Sequence, residues 1–252
     1  KLLANICLSS RKDFRNSVLA ARKAQSKWQK TSALNKGQIL YRIAEMLEGR
    51  KEQFINELML TGSSKSQAKK EVEQSIDRLI YYAGWSDKFG QIFSSVNPVA
   101  SNHFNFSALQ AMGVVSIIAP SNNPLLGLIS IISPVIVGGN TSVLLASEIN
   151  PMIAISFAEV LNTADVPAGV VNILSGKTDE LLEHFSTHMD VNTIIYCGDN
   201  QKRIQLLEQL SVANLKRIQV YKRKKWDDKE SQSPYFIKKC QELKTTWHPT
   251  AV

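Results

Sequence analysis

The chain has 252 residues, 44% of them hydrophobic and 21% charged, which is enough for one sizeable globular core and excludes a disordered, collagen-like or coiled-coil chain. The longest apolar stretch, Pro124 to Gly138, is broken by Gly127, Ser130, Ser133 and Pro134 and falls short of the roughly 20 residues that a membrane span needs. The net charge of +8 is uneven: residues 1–90 carry 17 Lys and Arg against 9 Asp and Glu, residues 91–200 carry 1 against 8, and residues 201–252 carry 12 against 5.

Four helices are expected first. Phe14, Val18, Leu19, Ala21, Ala24 and Trp28 form a stripe at near 3.6-residue spacing over Lys12 to Gln29. A second helix runs from Ser32 to Leu47 and stops at Gly49; a third carries Phe54, Ile55, Leu58 and Leu60 and is closed by Gly62. The fourth runs from Ser66 to Phe93, with Val72, Ile76, Leu79, Ile80 and Ala83 inward and most of its charges outward.

After Asn97-Pro98 the period changes. His103 to Phe106 alternates, and short apolar runs at Val114 to Ile118, Ser142 to Leu145, Val170 to Leu174, Thr193 to Cys197 and Arg217 to Tyr221 read as strands. Helical stretches at Pro124 to Val137, Pro151 to Asn162, Thr178 to Phe185 and Asn200 to Leu210 separate them. Such alternation predicts a parallel sheet covered on both faces, whose ligands sit outside the strand carboxyl ends. Any anionic ligand would there meet an acidic segment whose only cation is Lys177. Cys7, Cys197 and Cys240 are far apart and give neither a disulfide framework nor a metal spacing, so a reducing, cytoplasmic compartment is expected. Residue 1 is Lys rather than Met, which leaves room for an upstream address.

The segment Gly113 to Pro124, ending in Ala119-Pro120-Ser121-Asn122-Asn123-Pro124, resembles the aldehyde dehydrogenase superfamily, whose first dinucleotide-fold strand leads into a Pro-x-Asn-x-Pro turn. Gly139-Asn140-Thr141, Glu148 with Pro151, and Pro167-Ala168-Gly169-Val170-Val171-Asn172 with Gly176 follow in the family's order. The resemblance covers roughly residues 11–221. It implies an α/β fold: a Rossmann-like open parallel sheet of about five strands with helices on both faces and an N-terminal helical cover. Residues 1–95 would form the helical layer, 96–222 the NAD(P)-binding-type domain, and 223–252 a linker and oligomerisation tail. By the same resemblance Pro120, Ser121, Glu148, Gly198 and Asp199 hold the cofactor positions, and Asn122 that of the oxyanion donor.

The departures from the family bear on function. Leu145 takes the place of the Lys that, with a Glu at the position of Glu148, holds the adenosine ribose. Asp199 stands where a Ser faces the pyrophosphate at a helix N-terminus. A carboxylate 4 Å from a phosphate costs on the order of 4 kcal/mol at an effective dielectric near 20. The family's Glu-Leu-Gly-Gly is replaced by Tyr221-Lys222-Arg223-Lys224, and the catalytic domain with its nucleophilic Cys does not follow. Instead Gln241 to Pro249 resembles the family's last, subunit-bridging strand. This arrangement, with Asn214-Leu215-Lys216 and Trp226-Asp227, is similar to the truncated C-terminal module of family 16 aldehyde dehydrogenases.

Plainer roles stand beside these. Asn122 suits a turn, Glu148 a helix cap, and Cys197 a buried core position. His184 and His188 lack a third ligand, so no metal is expected. Lys222 to Lys225 reads as a solvated linker, without an aromatic platform for nucleic acid. Trp247 suits packing across a subunit boundary. The expected function is a non-catalytic, scaffolding aldehyde-dehydrogenase-like module beside a catalytic module of the same polypeptide. A homodimer is expected, with weak or no NAD(P) binding and neither membrane nor nucleic-acid partners. The alternative is part of an NAD(P)-dependent aldehyde oxidoreductase that still binds cofactor.

Overall fold

The structure is a computed structural model and describes residues 2–250. Five helices precede the first strand: α1 (Arg11–Lys30), α2 (Ala33–Gly49), α3 (Lys51–Leu60), α4 (Lys65–Trp85) and the short α5 (Phe89–Phe93). Sequence-encoded caps set the starts of three of them. Ser10 and Asp13 form a capping box on α1, Ser32 accepts from the Asn35 amide on α2, and Ser64 with Gln67 caps α4. The single helix expected from Ser66 to Phe93 is two, because the chain leaves the helix after Trp85 through a turn in which the Lys88 amide donates to the Trp85 carbonyl. Gly84, Ser86 and Asp87, weak helix formers, surround that break.

The strands are β1 (Ser95–Asn97), β2 (His103–Ala111), β3 (Val114–Ile118), β4 (Thr141–Leu145), β5 (Val171–Leu174), β6 (Thr193–Tyr196), β7 (Arg217–Val220) and β8 (Gln241–Pro249). Helices α6 (Leu126–Val137), α7 (Pro151–Thr163), α8 (Thr178–Thr187), α9 (Gln201–Ser211) and α10 (Tyr235–Lys239) complete the order. Five strands form one parallel sheet in the order β5-β4-β3-β6-β7. The α/β fold expected from the sequence is therefore the one observed.

Strand alternation divides the core in two. Val114, Ile118, Val143, Leu145, Ile194 and Tyr196 face α1, α8 and α9, meeting Phe14, Phe185 and Leu207. Val115, Ile117, Leu144 and Ile195 face α6 and α7, which α2, α3 and α4 cover in turn. Every residue of α6 is buried, since the sheet lies on one side of it and α4 on the other. Gly169 is needed in the turn before β5: its φ is +86°, and a Cβ there would stand 2.6 Å from the Ala20 carbonyl oxygen of α1.

The segment after β7 departs from the expected solvated linker. Lys222 to Lys225 does face solvent in large part, but Trp226, Ser231, Phe236 and Ile237 are buried. Arg78, buried on α4, donates to the carbonyls of Ser231 (2.7 Å) and Trp226 (3.0 Å) and to the Ser130 hydroxyl. Trp226 packs over Gly127, where a Cβ would come within 3.0 Å of its ring and 2.5 Å of Pro120. The chain then enters β8, which pairs antiparallel with β2 from His103 opposite Pro249 to Ala111 opposite Gln241. With β1 they make a separate three-stranded sheet, β1-β2-β8.

Candidate functional site

In a sheet of this order the chain reverses direction between β3 and β6, and their carboxyl ends open a crevice. It has a volume of about 170 Å³ and is lined by residues that include Ser121, Glu148, Thr178, Gly198, Asp199 and Arg203. Ligand pockets usually enclose roughly 300–1,000 Å³. The fold thus brings Ser121, Glu148, Gly198 and Asp199 together around one crevice.

Glu148 follows β4, and its Oε1 accepts from the Thr178 amide at 2.9 Å. It thereby occupies the N-terminus of α8, where free amides and the helix dipole favour an anion. The same oxygen lies 3.5 Å from Arg203 Nη2. Arg203, in the first turn of α9, donates from Nε to Asp179 Oδ1 at 2.7 Å. Asp179 holds the guanidinium above its ordinary pKa, and Arg203 holds the Asp179 carboxyl below the usual carboxylate range. This chain of two carboxylates around one guanidinium was not legible in the sequence reading, which placed Lys177 as the segment's only cation. Arg203 comes from the basic third of the chain and reaches the crevice only because α9 follows β6.

Asp199 needs a correction. The N-cap of α9 is Asn200, whose side chain accepts from the amides of Lys202 (3.1 Å) and Arg203 (3.2 Å). Asp199 lies one residue earlier and pairs with Arg223 at 2.7 Å, which holds its carboxyl below the ordinary value. Its charge toward an incoming phosphate is therefore offset by a cation, and the repulsion expected from the sequence is reduced. Arg223 makes this contact from a left-handed backbone, φ +45°. Gly198 leaves room for its neighbour: a Cβ there would stand 2.8 Å from the Tyr196 hydroxyl.

Leu145 is wholly buried in the core beside α1 and α8, so no side chain reaches the crevice from the position of the family's ribose clamp. Pro120 is buried against Gly127. Asn122 spends its side-chain amide on the Lys224 carbonyl, at 2.9 Å, tying the turn to the link after β7. Cys197 and Cys240 are both buried; burial pushes the Cys197 thiol up strongly and the Cys240 thiol up to about 11, away from a reactive thiolate. His188 Nδ1 accepts from the Asp190 amide at 3.2 Å. No group of three or more His, Cys, Asp or Glu positioned to hold a metal occurs among the described residues.

A sequence profile described as the Aldehyde dehydrogenase family matches residues 1–221. The chain belongs to this family. It is 30% identical over 221 residues to the cytosolic 10-formyltetrahydrofolate dehydrogenase of Xenopus laevis, covering 86% of this chain and 24% of that protein. It is 29% identical to the Omega-crystallin of Enteroctopus dofleini, covering 86% of this chain and 44% of that one. Among solved structures, PnpE from Pseudomonas sp. WBC-3 superposes with a TM-score of 0.82 at 28% identity, over 87% of this chain and 45% of PnpE. PnpE in complex with nicotinamide adenine dinucleotide gives a TM-score of 0.83 at 28% identity. The chain thus spans less than half the length of these relatives. No helix among the described residues is long and apolar enough to cross a membrane.

Proposed function

We propose that this chain is a non-catalytic aldehyde-dehydrogenase-like module that serves as a scaffold and assembly surface beside a catalytic module, as in the two-module arrangement of family 16 aldehyde dehydrogenases. The observation that carries the reading is the link between β7 and β8. In the family that interval holds the catalytic Cys and its domain; here residues 221–240 fill it with a short packed segment, pinned by Arg78 and plugged by Trp226. The chemistry needs an activated thiolate, a donor to the developing oxyanion and a base-activated water. Cys197 and Cys240 are buried with raised thiols, Cys7 does not line the crevice, and the Asn122 amide is tied to the link by a hydrogen bond to the Lys224 carbonyl.

The crevice supports the same reading. Its residues do not fit a dinucleotide pyrophosphate: Glu148 and Asn200 occupy the two helix N-termini, and Arg203 and Arg223 are each engaged by a carboxylate. The assembly surface is the three-stranded sheet. The nine residues of β8 pair with β2 on one edge, the other edge is open, and Leu243 (59% exposed) and Trp247 (58%) project from the strand. Open strand edges with apolar side chains pair readily with a second chain. A homodimer through β8 is the simplest closed arrangement.

Two measurements on the 252-residue chain test this. With NAD or NADP and a panel of aldehydes, no reduced cofactor should form; steady formation would contradict the reading. In sedimentation the chain should be a dimer that Leu243→Glu with Trp247→Glu converts to monomer, and a monomeric parent chain would remove the assembly surface.

A further inference from the structure

The short link carries a second feature that neither the family fold nor the scaffold reading uses. Between residues 222 and 239 it holds seven Lys and Arg against three Asp and Glu. Arg223 pairs with Asp199, and Asp227 with Lys70. Lys222, Lys224, Lys225, Lys229, Lys238 and Lys239 meet no carboxylate among the described residues, and all but the half-buried Lys224 are exposed.

Several of these ammonium groups are held in place. Lys224 Nζ and Lys239 Nζ lie 5.8 and 5.5 Å from the centroid of the same ring, Phe236, and Lys239 is also 5.2 Å from the Tyr221 ring. Lys238 stands 5.1 Å from the Phe93 ring. Rings attract each cation, and none of these ammoniums is paired with a carboxylate among the described residues, so the surface keeps an excess of positive charge. Tyr221 and Phe236 pack edge to face at 5.4 Å, so the rings and the ammoniums above them form one patch next to the crevice mouth. An external anionic partner would complement this excess charge.

We infer that the basic surface over the β7–β8 link is a docking site for an acidic polypeptide segment. A nucleic acid fits less well. The Phe236 ring beneath the lysines is 7% exposed and covered by their ammoniums, so it presents no face for a base to stack on. Exposed Asp228 and Glu230 interrupt the same loop and would oppose a continuous phosphate backbone, whereas a peptide can space its carboxylates around them.

The test is fluorescence anisotropy of a labelled peptide of alternating Glu and Ser, titrated with the 252-residue chain, beside oligouridylate and phosphatidylserine vesicles. Saturable peptide binding is expected, weakening as salt rises. Lys224→Glu with Lys239→Glu should weaken it at least about tenfold. Lys222→Glu with Lys225→Glu, which touch none of the buried rings, should weaken it about fivefold without altering the melting temperature. The charge-matched pair Lys12→Glu with Lys23→Glu, exposed on α1, should leave it unchanged. Equal losses in all three pairs, tighter retention of oligouridylate or vesicles than of the peptide, or no saturable binding at low salt would overturn the assignment.

Discussion

Two arginines remote in sequence from the carboxylates they meet set the electrostatics of the crevice. Arg203 sits between Glu148 and Asp179, and Arg223 lies on Asp199. Glu148 and Asp199 both line the crevice, each a few residues after a strand whose pattern is recognisable in the sequence. The resemblance left out the arginines, because contacts between a helix, a link and a strand end have no local period. Asp179 and Arg203 each lie in the first turn of the helix that follows a sheet strand, and that placement was the available signal. The Arg223–Asp199 pair is largely solvent-exposed and adds little stability, while Arg203 is mostly shielded; both arginines are engaged where a ligand would otherwise meet them. A different single residue tests burial. Lys216, buried before β7, has its ammonium pKa lowered to about 8 by desolvation, below the roughly 10.4 of an unfolded chain. Between those values the unfolded chain holds a proton that the folded one lacks, so this group makes stability rise with pH through that window. Lys216→Met should therefore be more stable than the parent below pH 8, with the gap in melting temperature closing toward pH 10; a gap independent of pH would contradict this.

The regular elements were largely legible. Periodicity located α1, α2, the sheet strands and the helices between them, because each has one or two faces that must be apolar to cover the core. The break after Trp85 was missed, since the apolar stripe continues across it into Phe89 and Phe93. The link was missed for a different reason. Trp226 and Phe236 are isolated apolar residues in a polar stretch, and the group that fixes the segment, Arg78, is on α4 and far away in sequence. Buried Gln25 and Glu71 belong to the same class: Gln25 bridges the Gly139 carbonyl and the Thr141 amide, and Glu71 accepts from the Leu125 and Leu126 amides at the start of α6. Such residues read as helix surface until the partner is known. Because Trp226 plugs the link against Gly127 and Pro120, Trp226→Ala should cost about 3–5 kcal/mol in denaturant unfolding. It should also expose Lys222 to Lys225 to trypsin in the folded state. Unchanged stability together with unchanged cleavage would show that the link is held elsewhere.

At the scale of the molecule, a parallel sheet with its crevice is joined by one short crossing to a separate three-stranded sheet with an open edge. The first part retains the architecture of the aldehyde dehydrogenase family, and the second presents an open strand edge. Between them lies a packed, basic link where the family places its catalytic residues. On the proposed reading, the crevice's arginines and helix N-termini are engaged by the chain's own side chains, which leaves a dinucleotide little to grip. Isothermal titration of the 252-residue chain with NAD and with NADP tests this most directly. The account predicts no saturable heat below about 1 mM ligand, which corresponds to less than roughly 4 kcal/mol of binding free energy; a submillimolar dissociation constant for either nucleotide would contradict it.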